Sequence, residues 1–342
     1  MPASEQSAPP GQPHVYRAYG LLLQSDFPIP ELGDPLGDDL PGISIAIRTS
    51  ATPPPEPETW FSQSTTASDR VWLRSGRIAQ GYVLQFPAYA DFLVDEKGAA
   101  IACRARTGAS PFTVRHLLLD QVLPLAMTLR GRHALHATAV RLPQGVCAFI
   151  GPSGIGKSTL AASFSFAGYP VVSDDCLVLY AEPAGVLAQP AYPGVRLWQD
   201  TYEALAPATA DVRIGQVAEY TTKRRVLSTD EVAAWSSGPM PLIRIYALAH
   251  AKTPSEADVS AGGGRTADTI AIEPITGPQA FLTALSCAFT LDASHRGKAL
   301  EQFRWLEGVT AHVPMRRLTL PLQYAALPAA VGAVFHDVGG RA

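Results

Sequence analysis

The segment Gly151–Ser158, written GPSGIGKS, restricts the fold of this chain more than any other part of the sequence. It fits the spacing G-x-x-x-x-G-K-[ST] at every fixed position. An apolar, strand-like run over Val146–Ile150 precedes it, and a helical pattern over Ser158–Ala167 follows it. Strand, glycine loop and helix in this order predict an α/β layer with a parallel sheet that binds a phosphate group, because glycines let backbone N–H groups converge on phosphate oxygens.

Single residues of this loop have separate expected tasks. Lys157 reaches the β- and γ-phosphates of a nucleotide, and the hydroxyl of Ser158 takes a position on magnesium. The alternative is a glycine-rich turn that binds nothing. The expected nucleotide-binding residues form one unbroken run: Gly151, Pro152, Ser153, Gly154, Ile155, Gly156, Lys157, Ser158 and Thr159.

Composition narrows the classes of partner and compartment. The chain has 342 residues, of which 47% are hydrophobic, and a formal net charge of -3. It is long enough for about two domains with their own cores, and its charge balance predicts neither a nucleic-acid nor a membrane partner. Residues 1–13 do not read as a secretory signal. Four scattered cysteines without a C-x-x-C pair argue against structural zinc and disulfides, so the cytoplasm is the expected location.

Changes in residue pattern predict the domain organisation. Short β-branched and aromatic runs come first, then helical spacing around Pro124, and then alternating strands and helices. The predicted stretches are a disordered tail over 1–13, a small β-rich domain over 14–110, a linking helix over 111–131, a phosphate-loop core over 132–250, a mobile loop over 251–269 and an α-rich region over 270–342 that packs on the core.

Two adjacent carboxylates, Asp174 and Asp175, follow the short apolar run Val171–Val172. Near a phosphate loop, one carboxylate can hold magnesium and the other can accept a proton from a hydroxyl nucleophile. A bound cation would offset the repulsion between the two charges. The alternative is an ordinary turn, because Asp is common in turns.

Other polar residues have simpler expected roles. His136 alternates with apolar neighbours and reads as a structural histidine, with a catalytic helper as the alternative. Lys223-Arg224-Arg225 reads as a solvated loop, with a contact to substrate or γ-phosphate as the alternative, and Arg196 is judged in the same way. Trp198 is expected to be a packing residue.

Three segments together, LHATAV with His136, GPSGIGKST, and YPVVSDD with Asp174 and Asp175, resemble the catalytic domain of bacterial HPr kinase/phosphorylase. The close match covers residues 132–180. The wider layout, with YRAYGLLLQSDFPIPEL near the start and PGVRLW after the acidic pair, is similar to the HPr-kinase-like proteins of lasso-peptide and related peptide-natural-product clusters. Where the family has a Leu-Glu-Ile-Arg-Gly-type stretch, whose Glu helps bind magnesium, Tyr192–Arg196 has no acid.

The resemblance implies an α/β fold with a P-loop, HPr-kinase-type core, a small β-rich N-terminal domain and an α-rich C-terminal tail. It implies ATP and Mg2+ as cofactors and a serine of a peptide or small protein as phosphate acceptor. Asp175 would then be the proton acceptor, supported by His136. Lys157 would bind phosphate, and Ser158 and Asp174 would bind magnesium.

Two other functions stay open at this point. One is a kinase for a small-molecule hydroxyl, which could use the same loop and base. The other is a nucleotide-binding accessory protein without transfer chemistry. The acceptor, a phosphorylase activity, the second magnesium ligand and the oligomeric state, a homo-oligomer included, are also left open by the sequence.

Overall fold

The computed structural model describes residues 13–36, 44–66, 68–192, 194–206, 212–228, 238–251 and 270–339. The chain divides into two compact units, Met1–Arg115 and His116–Ala342. This division falls inside the predicted linking helix over 111–131. Apart from Pro13 and Ala251, the predicted disordered tail over 1–13 and the predicted mobile loop over 251–269 lie outside the described residues.

The first unit is built on one eight-stranded sheet with the order β1-β2-β3-β8-β7-β6-β5-β4. Alternating side chains of β2 are buried, because neighbouring residues of a strand point to opposite faces, whereas β6 is buried along most of its length. The strands are β1 (His14–Ala18), β2 (Leu21–Ser25), β3 (Ile45–Thr49), β4 (Thr59–Thr65), β5 (Val71–Ile78), β6 (Gly81–Phe86), β7 (Ala90–Asp95) and β8 (Ala100–Ala105). A single 3-10 turn among the described residues of this unit spans Pro30–Leu32.

The segment predicted as a linking helix is helical but irregular. Helix α1 (Pro111–Leu117) is followed by a π-helical turn (Leu118–Val122) and by helix α2 (Leu123–Leu129). Pro124 is the second residue of α2 and follows the π-helical turn without a break, so its missing N–H falls where the helical hydrogen-bond pattern is already irregular. The π-helical turn places the buried carboxylate of Asp120 in the second unit, which matters for the site described below.

A nine-stranded sheet forms the centre of the second unit. Its main path is β12-β10-β11-β18-β14-β13-β9, and β20 pairs with both β18 and β19. Because β11, β18 and β20 run parallel, their carboxyl ends meet at one edge of the sheet. The strands are β9 (Ala134–Leu135), β10 (Ala137–Leu142), β11 (Gly145–Ile150), β12 (Val171–Ser173), β13 (Leu177–Glu182), β14 (Gly185–Gln189), β18 (Met240–His250), β19 (Ala271–Ile275) and β20 (Met315–Leu320).

A smaller sheet and the helices complete the second unit. The three-stranded sheet contains β15 (Val195–Leu197), β16 (Val212–Gln216) and β17 (Arg224–Ser228). The remaining helical elements are α3 (Lys157–Phe166), α4 (Gln199–Leu205), α5 (Gly277–Leu285), α6 (Arg296–His312), a 3-10 turn (Tyr324–Ala326) and α7 (Leu327–Asp337).

Both faces of the nine-stranded sheet are buried. Along β11, Ala148 and Ile150 belong to a core cluster that includes residues of α5 and α6. Cys147 and Phe149 belong to a second cluster, which includes residues of α3 and α7. A strand covered on both faces reads as a continuous apolar run, and this explains the sequence of β11.

The expectation of a mixed α/β chain is confirmed. The predicted α-rich region over 270–342 also contributes two strands, β19 and β20, to the central sheet. Met315 of β20 packs in one core cluster and Leu318 and Leu320 in the other, so this strand contributes to the core on both faces of the sheet. No helix in the described part of the chain combines the length and apolar character needed to cross a bilayer.

Candidate active site

The glycine loop connects the end of β11 to the start of α3, and its backbone requires glycine. Gly154 and Gly156 have φ values of 84° and 98°, in the left-handed region that other residues rarely adopt. No side chain caps the N-terminus of α3 at Gly156. The first N–H groups of a helix lack intrahelical partners and attract anions. The loop therefore offers backbone donors to a phosphate group.

Lys157 is buried at the first position of α3. Its Nζ donates to the carbonyl oxygens of Gly151 at 2.9 Å and Pro152 at 3.2 Å. Burial lowers the pKa of Lys157 below its usual value, and the nearby carboxylate of Asp175 opposes part of that effect. Among the described residues no carboxylate lies within ion-pair distance of this ammonium. Its charge is thus solvated by carbonyl dipoles and open to neutralisation by an anion.

Asp174 is fully enclosed by donors. Its Oδ1 accepts hydrogen bonds from the hydroxyls of Thr138 and Ser158, both at 2.8 Å. Its Oδ2 accepts from the backbone N–H of Arg196 at 2.9 Å. Burial and the adjacent charge of Asp175 raise the pKa of Asp174, although Arg196 acts in the opposite direction. These bonds fix the carboxylate directly behind the serine of the phosphate loop.

Asp175 differs from its neighbour in both backbone and exposure. Its φ is 68°, a left-handed value that is uncommon outside glycine and that Asp and Asn tolerate best. Its Oδ2 lies 3.2 Å from Nη1 of Arg196, and 24% of its side chain is exposed. The second carboxylate therefore faces the solvent-accessible side of the site with one cation beside it.

His136 contacts the main chain of Asp175 and not its carboxylate. Its Nδ1 is 3.0 Å from the carbonyl oxygen of Asp175. Because a carbonyl only accepts, Nδ1 carries the proton in this contact, which leaves Nε2 as the acceptor of a neutral ring. The ring also meets Phe289 edge-on. His136 therefore supports Asp175 through its main chain, and the left-handed conformation of that main chain sets the direction of the carboxylate.

Arg196 is central to the site, and the expectation of a solvated residue is wrong. The side chain is buried, with Nη2 donating to Oδ1 of Asp120 at 2.7 Å and Nη1 facing both Asp174 and Asp175. Tyr192 also contacts Nη2 and Asp120. One feature of the sequence could have indicated this burial, because Arg196 lies between the apolar Val195 and Leu197. A buried guanidinium requires carboxylate partners.

Asp120 completes this buried network from the π-helical turn. Burial acts to raise its pKa, but Arg196 and His116 outweigh burial and bring the pKa to about 2. Nδ1 of His116 lies 2.5 Å from Oδ2 of Asp120. The carboxylate is therefore ionised at neutral pH and anchors Arg196 from the side opposite the acidic pair.

A cavity of about 370 Å³ opens over the phosphate loop, at the carboxyl ends of the parallel strands. Its charged lining consists, among the described residues, of Lys157, Arg196, Lys223 and the one carboxylate of Asp175. Its other lining residues are His136, Ser153, Gly154, Ile155, Gly156, Ser158, Thr159, Trp198, Thr201, His250, Leu320, Pro321, Leu322, Gln323, Tyr324 and Leu327. An excess of cations suits an anionic ligand.

The structure brings most of the predicted site residues to this cavity. Gly151 and Pro152 do not line it and instead present carbonyl oxygens to Lys157, while Asp174 lies behind Ser158. Trp198 was expected to be a packing residue, but 45% of it is exposed at the cavity. Sequence reasoning gave no weight to Asp120, since nothing in its local pattern indicates a partner far along the chain.

The donor set around Ser158 fits a magnesium ion. In the described residues no group of three or more His, Cys, Asp and Glu side chains could hold a metal. A magnesium ion does not need such a group, because it is commonly held by one or two protein oxygens together with substrate phosphates and water. Ser158 and Asp174, already joined by a hydrogen bond, supply those oxygens next to the phosphate loop.

Comparisons with known proteins give little further information. No family model and no curated protein matches the chain. Among solved structures, the Hpr(Ser) kinase/phosphatase from Coxiella burnetii is similar at 10% identity, over 60% of this chain and 96% of that one, with a TM-score of 0.30. A likeness at this level does not establish an activity for this chain.

Proposed function

We propose that this chain is an ATP-dependent kinase that transfers the γ-phosphate to a serine hydroxyl of a peptide or small protein. The observation that carries the proposal is a continuous set of contacts from the phosphate loop to a partly exposed carboxylate, that of Asp175. Ser158 bonds to Asp174, and Arg196 contacts both Asp174 and Asp175. The serine-bearing acceptor rests on the resemblance of the three motifs to HPr kinase/phosphorylase.

Each residue has one role in the proposed transfer. The N–H groups of the loop and the ammonium of Lys157 hold the phosphates. The acceptor hydroxyl gives its proton to a carboxylate oxygen of Asp175 while its oxygen attacks the γ-phosphorus. The bond from that phosphorus to the β,γ-bridging oxygen breaks, and ADP leaves with the electron pair. Arg196 and His136 keep Asp175 in place.

Magnesium would be held by Ser158 and Asp174. When bound, it neutralises charge on the phosphate oxygens. The hydrogen bond from Ser158 places Asp174 next to the proposed magnesium position. Because both of its oxygens already accept hydrogen bonds, Asp174 is a poor base. Asp175, whose side chain is partly exposed, is the better candidate for proton transfer.

The first experiment tests the base. Asp175→Asn keeps the shape of the side chain but removes its proton-accepting ability, so transfer should fall by about 10²–10⁴-fold. ATP affinity should stay nearly unchanged. Transfer is measured with γ-labelled ATP and a panel of serine peptides, free sugars and nucleosides, and affinity is measured by calorimetry.

Asp69→Asn is the matched control. Asp69 is exposed and also has a left-handed backbone, with a φ of 58°, but it belongs to the first unit and does not line the cavity. This variant should transfer phosphate at the wild-type rate. Wild-type transfer by Asp175→Asn would refute the base assignment. Label on a sugar or nucleoside alone would indicate a small-molecule kinase, and label only in free phosphate would indicate an ATPase.

A further inference from the structure

Lys223 lines the same cavity as Lys157 and, like Lys157, has no carboxylate partner among the described residues. Its ammonium instead lies 5.4 Å from the ring centre of Trp198. A cation over an aromatic face is held in position without being neutralised. Two ammonium groups in one cavity therefore keep their full charge available to a ligand.

The two ammonium groups are close enough to affect each other. Burial is the main reason why the pKa of Lys157 is lowered, Asp175 and Asp174 act in the opposite direction, and Lys223 adds a smaller lowering effect as a like charge. The two cations therefore repel each other, although the nearby carboxylates offset part of that repulsion. A ligand with several negative charges would relieve it, and a polyphosphate is the ligand that the loop already suits.

The strands place Lys223 on the side of the acidic pair. Lys223 directly precedes β17, and Arg224 pairs with Leu197 of β15. The same strand β15 presents Arg196 to Asp175, and Trp198 follows it directly. Lys223 and Trp198 therefore line the cavity next to the strand whose Arg196 contacts the proposed base, and the outermost phosphoryl group of a nucleotide must reach that base for transfer.

We propose that the Lys223 ammonium binds the terminal phosphoryl group of the nucleotide triphosphate and that Trp198 positions it. This inference rests on the proposed function, because it takes the side of Asp175 as the γ-phosphate side. Lys157 then serves the β- and γ-phosphates from the loop, and Lys223 serves the transferred group from the segment that precedes β17. Charge that develops on the phosphoryl oxygens during transfer would meet a cation already in place.

The decisive measurement compares ATP with ADP. Lys223→Met should weaken ATP binding about tenfold or more, the usual effect of losing a hydrogen bond to a charged group, while ADP affinity changes little. Calorimetric titration of each nucleotide with magnesium gives both affinities without any acceptor. Arg224→Met is the matched control, because it removes the same charge from the neighbouring residue, which does not line the cavity.

A double-mutant cycle tests the role of Trp198. Trp198→Leu should lower the preference for ATP over ADP, and Trp198→Phe should retain part of that preference. In the Lys223→Met background, Trp198→Leu should have no further effect on the preference, because the ring acts through the ammonium. A residue that only maintained the fold would weaken ATP and ADP binding alike.

The outcomes separate this inference from the proposed function. An unchanged ATP-to-ADP preference in Lys223→Met, or an equal change in Arg224→Met, overturns the role of Lys223. A Trp198→Leu effect that persists in the Lys223→Met background overturns the positioning role. Lys157→Ala is measured in parallel, and if it leaves ATP affinity and transfer unchanged, the nucleotide assignment of the whole cavity fails.

Discussion

The buried guanidinium of Arg196 faces the carboxylates of Asp120, Asp174 and Asp175. Replacing this residue by Met would leave buried negative charges uncompensated. Breaking a buried ion pair from one side typically costs about 3–5 kcal/mol, so Arg196→Met should lower the free energy of unfolding by about that amount. Urea-induced unfolding measures the change. Asp120→Asn in the same background should restore part of the loss, since it removes one of the unpaired charges.

The loss of stability expected for Arg196→Met should also depend on pH. The pKa of Asp120 is lowered to about 2 in the folded chain, against about 3.9 for an unfolded aspartate. Its ionised form therefore stabilises the fold above pH about 4, and that contribution is lost as the pH falls toward 2. The stability difference between wild type and Arg196→Met should narrow over this range.

Arg115→Met provides the comparison. Arg115 pairs with Glu31 at 2.8 Å, but both side chains are 18% exposed. Loss of this less buried pair should cost about 1 kcal/mol or less. A loss in Arg196→Met no larger than that in Arg115→Met would contradict the central role assigned to the buried network.

Among the elements, the loop between β11 and α3 depends most on the identity of its residues, because its glycines adopt left-handed backbone conformations. Gly156, with its φ of 98°, has open space around it, so an alanine there would be strained by backbone conformation alone. Gly156→Ala should cost about 1–2 kcal/mol of stability and weaken ATP binding, because relief of the strain would move the donors of the loop. Thermal unfolding and nucleotide titration measure the two effects.

Gly332→Ala is a control for which we expect a gain of stability and not a loss. Gly332 lies inside α7, and a Cβ there would meet no atom within 4 Å. Alanine in a helix interior is favoured over glycine by about 0.5–1 kcal/mol. This variant should gain stability and bind ATP normally. Equal stability changes in the two variants would mean that the conformation of the loop glycine carries no special cost.

Local elements could be predicted from the sequence better than the contacts between them. The strand expected over Val146–Ile150 is observed as β11 over Gly145–Ile150, and the helix that follows begins one residue earlier than expected. Periodicity and glycine placement decide such elements within a few residues. The ion pair of Arg196 with Asp120 spans 76 positions of the sequence. Because no local pattern encodes a partner so far away, the sequence around Arg196 predicts a solvated side chain and not the buried one that is observed.

In the molecule as a whole, the two units contribute differently to the proposed reaction. Both core clusters of the second unit are formed from its own residues, and the whole cavity lies within it. We therefore expect a chain that lacks residues 1–110 to fold and to bind ATP with nearly wild-type affinity. None of the cavity residues belongs to the first unit. We therefore expect this unit to act on the acceptor segment and not on the nucleotide.

Removal of residues 1–110 should accordingly reduce labelling of a serine peptide much more than ATP affinity. Circular dichroism first establishes that the shortened chain is folded, and calorimetry and γ-labelled ATP give the two activities. Removal of residues 1–12 alone is the control and should change neither. Peptide labelling that survives the longer deletion would exclude the first unit from acceptor capture.

The left-handed backbone at Asp175 also has an evolutionary consequence. Among ordinary residues only Gly, Asn and Asp enter this region readily, and of these only Asp carries a carboxylate. A change of this one codon to Asn or Gly would therefore remove the proposed base without straining the backbone at position 175. One substitution could thus give a related protein that keeps the fold and lacks the proposed kinase activity. The residue at position 175 would distinguish such a protein from active relatives.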